Sequence, residues 1–322
     1  MSESIDLFPL VVFGTPSFSV PTLDALDAAG RTPVAVISQP PRQAGRGRAR
    51  SQPPVAEWAL DRNVALLQPE RVRDESFLAE LAHFGPTLAV VVAFGQIFPQ
   101  ALLDLPAQGC MNLHASLLPA YRGASPISAA IAAGETVTGV TTMLMERGLD
   151  SGPVLLQREV PIEPEDTTDR LGARLARAGG ALVVETIERW ERGEIEPREQ
   201  DRSAATFAPR LSKGDGEIDW RRPAVEIERW VRAMTPWPGA VTSFRGTPLR
   251  VLETSMGPAD RSGRDPGRLL GTVGESVVVA CGAGNLALDR VQRAGRRPVS
   301  GRDFWNGEQP HPGERLGSEA SA

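Results

Sequence analysis

The chain has 322 residues, of which 41% are hydrophobic and 23% charged, the composition of a water-soluble globular protein of about two domains. Its two cysteines, Cys110 and Cys281, lie far apart with no Cys or His cluster beside them, which excludes a disulfide framework and a thiolate zinc site and leaves buried, reduced thiols. The net charge of −5 argues against a nucleic-acid partner, but the charge is uneven. Residues 209–322 hold 17 Arg or Lys against 14 Asp or Glu, and residues 1–208 hold 18 against 26. Within that acidic half, the stretch between Asp27 and Glu57 has no acid and carries Arg31, Arg42, Arg46, Arg48 and Arg50.

Met1 to Pro9 contains Glu3 and Asp6 and no cationic, apolar leader, and no apolar run is long enough to span a bilayer. A cytoplasmic monomer without membrane contact is expected. Short, β-branched apolar runs predict strands at Leu10–Phe13, Val34–Ile37, Ala65–Leu67, Leu88–Ala93 and Met111–His114. Helical spacing falls between them at Thr22–Ala29, Val55–Arg62 and Asp74–Phe84. This alternation predicts an α/β domain, residues 1–192, with a Rossmann-like doubly wound, mostly parallel sheet. Val140–Met145 and Val154–Ile162 read as further strands, and a helix from Thr168 closes the domain.

Residues 193–209, polar and aperiodic, read as a surface linker. In 210–322 a helix at Pro223–Met234 precedes short strands at Val241–Phe244, Pro248–Leu252, Leu269–Val273, Val277–Cys281 and Asn285–Val291, punctuated by glycines. That pattern predicts a small C-terminal antiparallel β-barrel, OB-like, with a polar, frayed tail after Gly307.

No G-x-G-x-x-G follows the first strand, and Walker, H-E-x-x-H and G-x-S-x-G motifs are missing, so neither a nucleotide cofactor nor a metal is assigned. The informative stretch is Asn112 to Gly123, at the C-terminal end of the fifth strand, the edge where open parallel sheets bind ligands. Asn112 and His114 share one face of an extended chain, and an amide beside an imidazole can polarise a carbonyl and move a proton. The same pair can also serve only to satisfy backbone groups. Asp150, in Gly148-Leu149-Asp150-Ser151-Gly152, either orients His114 or forms an Asx turn. Arg122 either meets a substrate anion or pairs with a surface acid.

Asn112 to Gly123 together with Gly148 to Gly152 resembles the signature of 10-formyltetrahydrofolate-dependent formyltransferases and hydrolases. The resemblance implies 10-formyltetrahydrofolate as formyl donor, Asn112, His114 and Asp150 as catalytic residues, and Ser116, Leu117, Leu118 and Pro119 as the wall against which the folate lies. Gln39 to Arg48 is similar to the basic loop of the methionyl-tRNA formyltransferases. Leu211-Ser212-Lys213 with Ile218-Asp219-Trp220, and Ala294–Arg297 to Phe304–Gly307, resemble that family's domain junction and C-terminal segment. Methionyl initiator tRNA is the implied acceptor, met by Arg42, Arg46 and Arg48 and by the barrel, in support of translation initiation.

Ser17, Phe94, Arg48 and Arg50 depart from the pattern, which expects an acid, a tyrosine and two lysines there. Two other functions fit parts of the chain. One is a folate enzyme that formylates a small amine or hydrolyses formyl-folate, which needs no tRNA affinity. The other is a non-catalytic RNA-binding protein, which needs no intact Asn112, His114 and Asp150.

Overall fold

The computed structural model describes residues 9–44, 49–259, 265–311 and 313–317. Two units emerge: the first comprises residues 1–126, 137–161 and 172–208, the second 127–136, 162–171 and 209–322.

In chain order the elements of the first half are β1 (Leu10–Gly14), α1 (Val20–Ala28), β2 (Ala35–Ile37), β3 (Arg42–Ala44), β4 (Ala49–Ser51), α2 (Pro54–Asp61), β5 (Ala65–Leu67), α3 (Glu75–Ala82), β6 (Leu88–Val92), α4 (Gln100–Leu103), β7 (Cys110–His114), α5 (Pro126–Ala133), β8 (Val137–Leu144), β9 (Val154–Pro161) and α6 (Thr168–Glu191). One seven-stranded sheet runs β5-β2-β1-β6-β7-β8-β9. The first five of these strands are parallel and β8 runs antiparallel between β7 and β9, the mostly parallel, doubly wound sheet that the alternation predicts. Every residue of β1 and β6 is buried, because helices cover both faces of a parallel sheet and Val and Leu fit its pleat.

The chain moves outward from β1 through β2 to β5 and returns to β6 on the other side of β1, so the order reverses between β1 and β6. That switch point opens a crevice at the carboxyl ends of the strands. Below it, Phe13 packs edge-on against Phe94 at 5.3 Å and lies 4.9 Å from Phe98. Phe94 is thus a core ring, which accounts for a residue without a hydroxyl at this position.

On the opposite face α6 approaches closely. A Cβ at Gly179 would lie 2.6 Å from Leu113, and one at Gly180 would lie 2.6 Å from the Pro21 carbonyl. Two glycines inside a helix cost about 1 kcal/mol each relative to alanine. Here the close approach of helix, sheet and α1 depends on them.

The second unit carries α7 (Ala224–Met234), β10 (Ala240–Phe244), β11 (Thr247–Met256), β12 (Leu269–Val273), β13 (Ser276–Ala280), β14 (Asn285–Arg293), β15 (Val299–Ser300) and α8 (Gly301–Glu308). The antiparallel sheet runs β10-β11-β14-β13-β12, with β15 on β14. Within the tail expected to fray, residues 314–317 do the reverse. Arg268 bridges Arg315 at the β12 side and Phe244 bridges Leu316 on β10, so residues 314–317 close the two edges into a barrel. Leu316 is buried, and Arg245 grips Glu314 through two hydrogen bonds. The charges of this segment hide one apolar side chain, and its pairing is set by strands some 50–70 residues earlier in the chain.

Candidate active site

β7 sets the first two candidates. Its pleat sends Leu113 toward Gly179 on α6 and turns Asn112 and His114 to the other face, the one shared with Cys110 and the phenylalanine core. Asn112 pairs with Val91 and Met143 in the sheet, is half-buried, and its side-chain amide makes no hydrogen bond to any described residue. His114 ends the strand and is 6% exposed.

Both ring nitrogens of His114 face oxygens, and one of them is hydrogen-bonded. Nε2 lies 2.9 Å from the carbonyl of Tyr121, an acceptor only, so Nε2 carries a proton and donates it. Tyr121 turns that carbonyl inward from a left-handed backbone, φ 59°. Nδ1 faces Asp150 Oδ2 at 3.6 Å, an ion-pair separation longer than a hydrogen bond. The same Oδ2 accepts a 2.7 Å hydrogen bond from the Gly123 amide. Asp150 is itself left-handed at φ 49°, so its carboxylate is fixed by the turn and by the Gly123 amide.

Behind this trio lies a residue that sequence reasoning missed. Gln200 is 8% exposed and donates from Nε2 to the carbonyls of Asp150 at 2.9 Å and Gly152 at 2.7 Å. Its Oε1 accepts from Arg122 Nε at 3.1 Å and Nη2 at 2.7 Å. Arg122 is 7% exposed, so the open question over its role closes on Gln200: its guanidinium supports the Asp150 turn from within the protein. Gln200 lies in the segment read as a linker. That segment runs against residues 121–125, with Arg122 N donating to Thr206 O, Ala208 N to Arg122 O and Ser125 N to Ala208 O. A Cβ on Gly123, φ 118°, would fall 2.5 Å from the Ala208 carbonyl. No periodicity or motif marks Gln200; its partners lie 48–78 residues away.

The four residues expected to meet folate divide. Ser116 is fully buried and its hydroxyl donates to the Ala120 carbonyl at 2.6 Å, and Leu118 packs with Met143 and Val154. The side chains of these two therefore face inward, away from the wall that the resemblance implies. Leu117 and Pro119 are half-buried, and Leu117 lies over Gly139. Thr141 fixes the turn by donating to Ser116 O and accepting from Leu118 N.

The basic segment forms a hairpin of β3 and β4, with Arg42 opposite Ser51. Arg42 is exposed and donates to Gln39 Oε1 at 3.0 Å. Arg46 and Arg48 lie outside the described residues. The described residues contain no helix long and apolar enough to cross a membrane.

Residues 9–187 match the family described as Formyl transferase, and residues 210–309 the family described as Formyl transferase, C-terminal domain. The methionyl-tRNA formyltransferase of Pelobacter propionicus is 45% identical over 97% of this chain and 97% of its own length. That of Chloroflexus aurantiacus is 46% identical over 92% of this chain and 96% of its own. Among solved structures, WlaRD, a sugar 3N-formyl transferase, superposes with a TM-score of 0.65 at 16% identity, covering 90% of this chain and 99% of that one. HypX from Aquifex aeolicus in complex with tetrahydrofolic acid gives 0.63 at 16% identity, over 96% of this chain and 48% of that one. These two share the fold, whereas the end-to-end identity to the curated relatives settles the kinship: the chain belongs to the methionyl-tRNA formyltransferase family.

Proposed function

We propose that Asn112, His114 and Asp150 carry out the formyl transfer of this enzyme. The reaction moves the formyl group of 10-formyltetrahydrofolate to the α-amino group of methionyl initiator tRNA. The observation that carries the assignment is the fixing of His114 between Tyr121 O and Asp150 Oδ2, one pleat from an Asn112 amide with no protein partner among the described residues.

The unprotonated amine attacks the formyl carbon, and negative charge gathers on the formyl oxygen. Asn112 donates to that oxygen through its side-chain N–H. His114 adds a second donor when its Nε2–H leaves the Tyr121 carbonyl for the substrate. Removing one such donor typically costs about 2.7–4 kcal/mol of transition-state stabilisation. Asp150 holds the imidazole and receives the proton shed by the attacking nitrogen. The intermediate then collapses: the bond from carbon to N10 breaks, N10 takes the proton that Asp150 received from the amine, and the formyl amide remains on methionine.

Ser116 to Pro119 form the folate wall, with Leu117, Pro119 and the backbone of the turn as its contact surface. Arg42, Arg46 and Arg48 meet tRNA phosphates, where a guanidinium fork matches two oxygens at once. The 210–322 barrel, mildly basic, supports the tRNA body. The enzyme works as a cytoplasmic monomer.

The test is formyl transfer by purified protein from 10-formyltetrahydrofolate to methionyl initiator tRNA, with methionyl elongator tRNA and free methionine as parallel acceptors. Selective formylation of the initiator, lost in His114→Ala, supports the assignment. Full kcat in His114→Ala would remove that residue from the chemistry.

A further inference from the structure

Gln39 stands where the chain leaves β2 and turns into the arginine hairpin, and its amide is used at both ends. Nε2 donates to the Phe94 carbonyl at 3.2 Å, and Oε1 accepts from Arg42 Nη2 at 3.0 Å. Its backbone N–H reaches Thr15 Oγ1 at 3.4 Å, and Thr15 Oγ1 donates in turn to the same Phe94 carbonyl at 3.2 Å. Gln68 completes the anchor. Its Nε2 donates to the Gln39 carbonyl and to Gln52 Oε1, both at 3.0 Å, so one amide ties the two roots of the hairpin.

These hydrogen bonds join two places with different tasks. Thr15 follows β1 and Phe94 follows β6, the two strands flanking the switch point, and the loop beyond Phe94 exposes Ile97 almost fully at 94%. Arg42 opens the hairpin, whose strands β3 and β4, among the described residues, pair with each other alone. A primary amide is the uncharged side chain that offers a donor at one atom and an acceptor at another. Gln39 is 9% exposed, so its hydrogen bond to Phe94 is shielded from competing water, while the one from the exposed Arg42 is shielded in part.

We infer that Gln39 is a positioning residue that couples the arginine arm to the loop at the switch point, so that tRNA binding on the arm and folate binding on the loop reinforce one another. This rests on the proposed reading in which Arg42 meets tRNA phosphate, and on a folate that reaches from the Ser116–Pro119 wall after β7 to the loop after the neighbouring β6. The hydrogen bond to Oε1 takes one guanidinium hydrogen and fixes the plane of the fork, leaving its other edges aimed for a phosphate. A folate that orders the Phe94 loop holds Nε2, and through the same amide holds Arg42. Linkage makes the effect reciprocal, because the coupling free energy is one quantity seen from two sites.

The experiment compares wild type, Gln39→Met, Arg42→Met and the double variant by KM for methionyl initiator tRNA, KM for 10-formyltetrahydrofolate and kcat. It also measures tetrahydrofolate binding with and without uncharged initiator tRNA. Gln39→Met is expected to raise the tRNA KM about fivefold with little change in kcat, to add nothing further to the tRNA KM once Arg42 is Met, and to abolish the tightening of tetrahydrofolate by tRNA. Gln39→Glu keeps the acceptor for Arg42 and removes the donor to Phe94; it should leave the tRNA KM near wild type while raising the folate KM, and it decides the matter if Gln39→Met does not fold. Additive effects in the double variant, or unchanged coupling in Gln39→Met, overturn the inference. If Arg42→Met alone leaves the tRNA KM unchanged, the arm reading falls and takes the coupling with it.

Discussion

The Gly123 amide donates to Asp150 Oδ2 over 2.7 Å, and that oxygen is the one facing His114 Nδ1 at 3.6 Å. One backbone group thus aims the carboxylate at the imidazole. Asp150→Asn retains an oxygen for Gly123 and discards the charge opposite His114. We expect kcat to fall by roughly 10²–10⁴ with thermal stability nearly unchanged. Asn112→Ala should slow turnover about a hundredfold or more with a small change in KM. Rapid-quench single-turnover assays check both, and a wild-type rate in either variant would contradict the assigned role.

Gln200→Leu removes the acceptor of a buried guanidinium and the donor to two carbonyls of the Asp150 turn. Hydrogen bonds to charged groups contribute about 1.5–3 kcal/mol, so denaturant midpoints should fall by a matching amount and kcat should fall with them. Gly123→Ala should do both more severely, since its Cβ would overlap the Ala208 carbonyl in a left-handed backbone. Stability unaltered in both would mean that the 193–208 segment does not hold the site.

Burial pushes both thiols up, Cys110 with a smaller contribution from Asp104, each to about 12. The folded chain therefore keeps these protons where the unfolded chain releases them, above the ordinary thiol value of 9.0. The sign follows: below pH 9 the two thiols add no pH dependence, and between 9 and 12 stability declines as pH rises. A thiol reagent at pH 8 should label neither cysteine until denaturant unfolds the protein, and fast labelling of the native enzyme would overturn this.

Leu316→Ala tests the closure of the barrel. Loss of a buried leucine costs roughly 2–5 kcal/mol, and the effect should appear as earlier exchange of amide hydrogens on β10 and β12. Acid should loosen the same seam. The side-chain hydrogen bond from Arg245 holds the Glu314 carboxyl below the usual carboxylate range, so its contribution is present at neutral pH and is lost as pH falls through that lowered value. Exchange rates at β10 and β12 equal to wild type in Leu316→Ala would show the tail to be dispensable.

For the arm, Arg42→Ala with Arg46→Ala should raise the KM for tRNA and flatten its dependence on salt, by roughly one unit of logarithmic slope for each phosphate that an arginine no longer neutralises. An unchanged tRNA KM across salt would refute the arm.

The sequence by itself determined the layered α/β sheet, because both-face burial leaves short β-branched runs such as Leu10–Phe13 and Leu88–Ala93 between helical spacings. It also located Asn112, His114 and Asp150 as candidates, since their chemistry and the turns around them are local features of the chain. Only the tertiary structure decided that Arg122 turns inward to Gln200, that the polar segment after residue 192 packs along residues 121–125, and that the tail closes the barrel through Leu316. It also placed Gln39 between Phe94 and Arg42. The physical reason is common to all four. Periodicity and motifs record what one segment must bury or present, whereas a hydrogen bond across 78 residues depends on where two backbones pass, and a polar side chain reads the same in sequence whether water or a buried carbonyl satisfies it.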